Sequence, residues 1–209
     1  MPELPEVETV RRSLQLLLEG QKITGVEVFY GGIIKNVDAE EFAALSKDKS
    51  IVSIGRRGKY LLLELSEGYT LVIHLRMTGQ LLYTQADEPV TKHTHILFHL
   101  SGGHELRFVD VRKFGLIFLV KTGRWEACGG LANLGPEPLE EAFTLRAWNK
   151  LIANQKGGLK AFLLDQRKIA GIGNIYADEI LFAAGLHPLK RVESLKPKEI
   201  AALYSAIVA

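Results

Sequence analysis

With 209 residues, 47% of them hydrophobic, the chain is long enough for one large domain or two small ones and can bury a real core. A formal net charge of +2, from 26 basic and 24 acidic residues, permits a nucleic-acid partner without arguing for one, because what matters is where the cations cluster. The single cysteine, Cys128, excludes a disulfide framework and a cysteine metal site, no apolar run spans a bilayer, and no signal-peptide pattern opens the chain, which together point to a reducing cytoplasm with Cys128 as a small semi-buried residue.

Pro5 suits the first turn of a helix, and Val7, Val10, Leu14, Leu17 and Leu18 recur at helical spacing until Gly20 caps it. Residues 23–30 alternate as a strand, and Asp38-Ala39-Glu40-Glu41 reads as a capping box opening a short helix through Leu45. Residues 51–120 are rich in β-formers. Strands at 60–65 and 70–75 flank Ser66-Glu67-Gly68, strands at 95–100 and 105–109 flank Ser101-Gly102-Gly103, and 115–120 follows. Strands at this density, with no helices between them, predict a β-sandwich.

The character then switches. Leu134-Gly135-Pro136-Glu137-Pro138-Leu139 is rich in breakers, and beyond it Leu145, Trp148, Leu151 and Ile152 share a helical face. Gly157-Gly158 interrupts before a helix carrying Leu159, Phe162 and Leu163. A third helix runs from Ile175 to Ala184, ended by Gly185 and Pro188, and a fourth starts near Lys196-Pro197 with Ile200, Leu203, Tyr204 and Ile207 on one face. That last helix stops without a C-cap, an ending that reads as a truncation. The expected class is α+β: a β-sandwich domain with its N-terminal helix at 1–135, a linker at 136–142 and an all-helical domain at 143–209.

The opening Met1-Pro2-Glu3-Leu4-Pro5-Glu6-Val7-Glu8 concentrates chemistry where a chain is usually least informative. With Met1 removed, Pro2 exposes a secondary α-amine, a group that titrates at about 7.7–8.0 and is partly neutral near physiological pH. Such an amine forms an iminium with a carbon bearing a leaving group. The helix N-terminus beside it disfavours the protonated amine and favours ionised Glu3 and Glu6. The same acids also suit a plain helix dipole, and with Met1 attached the Pro2 nitrogen is a tertiary amide that cannot attack.

Further along, Gly55-Arg56-Arg57-Gly58-Lys59-Tyr60 reads either as a phosphate cradle or as a solvated basic turn. His74-Leu75-Arg76-Met77-Thr78-Gly79 closes a strand, and Met77 taken alone is core filler. His93 and His95 could share a metal only with a third ligand, and none converges from the sequence. Gly171-Ile172-Gly173 follows no strand, so it is not a dinucleotide site; glycines before a helix can instead hold a phosphate through backbone amides.

Taken together, the opening and the motifs at 55–60, 74–79, 110–115 and 172–177 resemble the bacterial formamidopyrimidine-DNA glycosylase family, over essentially the whole chain. The resemblance implies a helix–two-turn–helix domain after the β-sandwich. It also implies a base-excision repair enzyme, a DNA glycosylase with associated AP lyase activity, acting on 8-oxoguanine or formamidopyrimidines in damaged double-stranded DNA. Pro2 is then the Schiff-base nucleophile, Glu3 the general acid, Glu6 its orienting or relaying partner, and Lys59 a proton donor or phosphate clamp. Met77 fills the space of the everted nucleotide, Arg112 pairs with the widowed cytosine and Phe114 kinks the stack, offsetting the few kcal/mol that eversion costs. His74, His93, Lys156, Lys160 and Asn174 complete the DNA-contacting set.

Two departures qualify the match. The family more often has arginine where Lys113 stands. Its C-terminal zinc finger, with four cysteines and a phosphate-gripping arginine, has no counterpart here, so the expectation is no zinc or other cofactor in this chain, weakened DNA affinity and reduced turnover. The expected molecule is a monomeric cytosolic protein with no membrane partner. The rival readings are an endonuclease VIII-like enzyme for oxidised pyrimidines, whose relatives usually carry Gly in place of Leu4, and a non-catalytic DNA-binding fragment.

Overall fold

Apolar, β-forming runs between residues 23 and 121 build two four-stranded antiparallel sheets, ordered β1-β6-β7-β5 and β2-β3-β4-β8. Here β1 is Ile23–Val28, β2 Ile51–Arg57, β3 Tyr60–Leu65, β4 Tyr69–His74, β5 Gly79–Gln85, β6 Thr94–Leu100, β7 His104–Asp110 and β8 Leu116–Lys121. A computed structural model describes all 209 residues and divides into two units, Met1–Ala132 and Asn133–Ala209.

The first unit holds both sheets, helix α1 (Leu4–Leu18) and helix α2 (Ala39–Ser46). Its core takes Ile23, Phe42, Leu63, Ile73, Phe98 and Phe108, all buried. Each side chain of this size contributes about 1.5–3 kcal/mol by leaving water. Leu4, Val7, Leu14 and Leu18 bury the inner stripe of α1, and Gly20, at φ +84°, turns the chain toward β1. Leu17 departs from the expected stripe and is 42% exposed, because that face of α1 turns away from the core. Asp38 caps α2 by accepting the Glu41 N–H at 2.8 Å.

Strands β2 and β5 were not singled out by pattern. Gly55-Arg56-Arg57 hides the end of β2, and Gly79-Gln80 the start of β5, in residues that read as turn. Cross-strand register sets the site rows: Tyr60 pairs with His74, and His74 with Leu116, while Gly79 pairs with Asp110.

The second unit comprises α3 (Leu145–Ile152), α4 (Leu159–Leu164), α5 (Asn174–Ala183) and α6 (Pro197–Val208). Thr144 caps α3 through the Ala147 N–H. Trp148 is fully buried at the centre of its own core, and its indole N–H donates to the Ile200 carbonyl at 2.9 Å. Leu203 and Ile207 bury the face of α6 that the periodicity predicts, and the Tyr204 hydroxyl donates to the Phe143 carbonyl. Across the chain no helix is long and apolar enough to cross a membrane.

Candidate active site

The N-terminus starts α1 in a way that fixes its acids. Glu3 is the extended residue before the helix, 2% exposed, and its N–H donates to Glu6 Oε2 at 2.9 Å. Pro5 costs nothing there, since the amide it lacks would have had no helical acceptor. Pro2 and Glu6 open on a cleft of about 380 Å³ that is also lined by Leu75, Met77 and Thr78.

Lys59 lies in the tight turn between β2 and β3, where Gly58 takes φ +56°, and it is 7% exposed. Burial pulls the Lys59 pKa down, and the nearby Glu3 carboxylate only partly restores it. Lys59 therefore gives up its proton more readily than an exposed lysine, beside the carboxylate expected to act as acid.

Arg56 corrects the reading of this segment as a run of phosphate cations. Its side chain is 8% exposed, its Nε pairs with Glu8 Oε2 at 3.1 Å, and its Nη1 donates to the Gly58 carbonyl at 2.9 Å. Glu8 also pairs with Arg11 and Arg12. The Arg11 hydrogen bond outweighs the opposing effect of burial, and with those of Arg12 and Arg56 it holds the Glu8 carboxyl down at about 2. Arg56 thus ties α1 to the turn that presents Lys59.

The candidate wedge projects from two adjacent turns. Met77 is 45% and Phe114 51% exposed, and the Arg112 guanidinium lies 4.7 Å from the Phe114 ring centroid. Large apolar side chains in water forgo burial energy, which marks a surface meant to be covered. Arg76 and Lys113, at φ 54° and 58°, hold left-handed backbone in these same turns, the kind of strain that clusters at functional sites. Met77 and Phe114 border a groove of about 460 Å³ together with Met1, Lys35, Arg76 and Lys113.

Sequence reading passed over the residue that organises both turns. Asp110, fully buried at the end of β7, accepts from the Thr78 hydroxyl, the Arg112 N–H at 3.1 Å and the Gly115 N–H at 2.8 Å. Burial pushes its pKa up, but these bonds and one from the Phe114 backbone outweigh it and hold the carboxyl below the ordinary range. Gly115 is required there, because a Cβ would lie 2.3 Å from the Phe108 ring. The available signal was an aspartate two residues before Arg112, the spacing at which a carboxylate accepts a backbone N–H in a turn.

His74 is buried, with its ring edge-on to Tyr60 and its Nδ1 accepting the Arg76 N–H at 3.0 Å. Burial first, then the cations of Arg76 and Lys59, hold its pKa down at about 3. The ring is neutral, with its proton on Nε2, a donor without charge. His93 is half-buried, and its carbonyl accepts the Asp110 N–H. His95 points elsewhere: it is buried, and its Nε2 bonds the Asp110 carbonyl at 2.6 Å, so the two histidines do not face one ligand.

In the second unit, Asn174 is the exposed first residue of α5. The turn before it is stapled by Gln166, whose side chain donates to the Leu164 and Ile172 carbonyls and accepts the Gly171 N–H at 2.9 Å. Gly171, at φ 96°, makes the reversal possible. Lys156 is exposed on the chain before α4. Lys160 is held by Asp178 of α5 at 2.6 Å.

The lone cysteine is not poised to bind a metal. Cys128 is fully buried rather than semi-buried, and burial, followed by Glu126, pushes its thiol up to about 11, the reverse of what a thiolate ligand needs.

Comparison with known proteins covers both units. Residues 1–117 match the model of the formamidopyrimidine-DNA glycosylase N-terminal domain, and residues 134–209 that of the formamidopyrimidine-DNA glycosylase H2TH domain. The formamidopyrimidine-DNA glycosylase of Pelotomaculum thermopropionicum is 52% identical over 207 residues, covering 99% of this chain and 75% of the relative. That of Moorella thermoacetica is 50% identical, covering 99% and 76%. Among solved structures, a complex of Lactococcus lactis Fpg with DNA containing an abasic site superposes with a TM-score of 0.91 at 36% identity, covering 99% of this chain and 75% of that one.

Proposed function

This chain belongs to the formamidopyrimidine-DNA glycosylase family, and from that premise we propose that it excises oxidised purines from duplex DNA with Pro2 as the nucleophile. It is a base-excision repair DNA glycosylase with associated AP lyase activity, and its substrate is damaged double-stranded DNA. The observation that carries the site assignment is that Pro2, Glu6 and Met77 line one cleft, so the nucleophile and the side chain that would replace the everted nucleotide face the same space.

With Met1 removed, the Pro2 nitrogen lone pair attacks the sugar C1′. The C1′–N bond breaks and the base leaves with the electron pair, taking up a proton. The ammonium formed by the attack passes its proton to the Glu3 carboxylate, which delivers it to the ring oxygen as the sugar opens, and Glu6, bonded to the Glu3 N–H, holds the helix start in place. The resulting iminium acidifies C2′. Loss of a C2′ proton then expels the 3′ phosphate and cuts the strand. Lys59, buried near Glu3 with its pKa pulled down by that burial, suits proton transfer in these steps better than a plain charge contact. His93, Lys156 and Asn174 supply phosphate contacts, and His74 adds an uncharged donor. A DNA substrate and a lone reduced cysteine agree with work in the bacterial cytosol.

The test is single-turnover excision from a duplex carrying 8-oxoguanine opposite cytosine. Base release and strand scission are expected with Met1 removed, and both should disappear when one residue is left in front of Pro2. Undiminished activity in the extended protein would move the nucleophile to another amine. Faster release of an oxidised pyrimidine than of 8-oxoguanine would favour the endonuclease VIII-like reading.

A further inference from the structure

Thr78 stands where the two wedge turns meet. Its hydroxyl donates to Asp110 Oδ1, and its oxygen accepts the Arg112 N–H at 3.3 Å. Met77 immediately precedes it, while Arg112 and Phe114 belong to the other turn. The ladder between β5 and β7 reaches no further than the Gly79–Asp110 pair, so residues 76–78 and 111–114 lie beyond it. There the Thr78 hydroxyl bridges the two turns. The carboxylate it reaches is fully buried, where a hydrogen bond competes little with water.

We propose that Thr78 is a positioning residue that couples Met77 to Arg112, so that the two side chains enter the duplex as a unit and the base opposite the lesion is read with greater discrimination. The proposal rests on the reading of Met77 and Arg112 as duplex-inserting groups. Neither turn is rigid by composition, since each places a cation in left-handed backbone that persists only where its surroundings hold it. Asp110 fixes the Arg112 turn through backbone amides, but it touches the Met77 turn through the Thr78 side chain. Without that hydroxyl, Asp110 still orders Arg112 while Met77 moves independently.

The experiment is a double-mutant cycle in binding, which separates positioning from chemistry. Affinities are measured for duplexes carrying a tetrahydrofuran abasic analogue opposite cytosine or adenine. Met77→Ala, Arg112→Ala and the pair are compared in the parent and in Thr78→Val, Thr78→Ala and Thr78→Ser backgrounds, with circular dichroism melts confirming folded protein. In the parent, each single change should weaken binding about 10-fold, and the double should fall short of the product by about 5-fold or more, the scale of networked residues. In Thr78→Val and Thr78→Ala the two effects should multiply to within about 2-fold, and the preference for cytosine should drop about 5-fold. Thr78→Ser keeps the hydroxyl and should behave as the parent. Coupling in both hydroxyl-less backgrounds equal to that of the parent overturns the role of Thr78 while leaving insertion intact. Unchanged parent affinity in Met77→Ala and Arg112→Ala removes the insertion reading itself, and the proposal with it.

Discussion

His74 illustrates how far a site residue's surroundings can change its chemistry. The folded protein holds it neutral, with a pKa of about 3 set by burial and then by Arg76 and Lys59. In the unfolded chain it takes a proton near about 6.5. Between those values the unfolded state binds the extra proton, so stability falls as pH falls, by up to about 1.4 kcal/mol per pH unit. Urea unfolding from pH 7 to pH 4 should therefore show a shallower decline for His74→Gln than for the parent. Parallel declines would mean that His74 is not held neutral in the fold. The sequence marked His74 by position in a motif, yet nothing in it announced a buried, uncharged ring, because the desolvation comes from the packing around β4. Pro2 and Lys59, whose proposed roles depend on their own atoms, could be named from the sequence. Asp110 could not, because its carboxylate acts by holding the backbone of other residues.

Among the elements, the strongest misreading concerned the end of β2. Three cations in four residues suggested a phosphate cradle, but the structure turns Arg56 inward to Glu8 and the Gly58 carbonyl. Charge runs in a sequence carry no direction; the two-residue alternation of a strand does, and Gly55 masked it. Arg56→Ala should destabilise the fold by about 3 kcal/mol, as expected when one partner of a largely buried ion pair is removed. It should leave the salt dependence of duplex binding unchanged. A phosphate-binding arginine would show the opposite pattern, with little loss of stability and a salt slope lower by about 1. Helices were read more surely than strands, since Pro5, Asp38 and Pro197 mark helix starts that structure and sequence share. The face of α1 was read one residue too wide at Leu17, because periodicity fixes a stripe but not its width.

For the molecule as a whole, the switch from β-rich to helical composition foretold two units, and each has its own buried core. The chain spans about three quarters of the length of the curated relatives it matches. The groups proposed for chemistry and for the wedge all lie in the first unit, and those proposed for phosphate grip are shared with the second. The central claim is that the α-amine of Pro2 attacks the sugar, and covalent trapping tests it most directly. Protein with Met1 removed, verified by intact mass, is mixed with an abasic-site duplex and reduced with borohydride, and the adduct is located by peptide mass mapping. The account predicts a single reduced adduct on the peptide that begins at Pro2. An adduct on the peptide carrying Lys59, or none from protein with a free Pro2 amine, would contradict it.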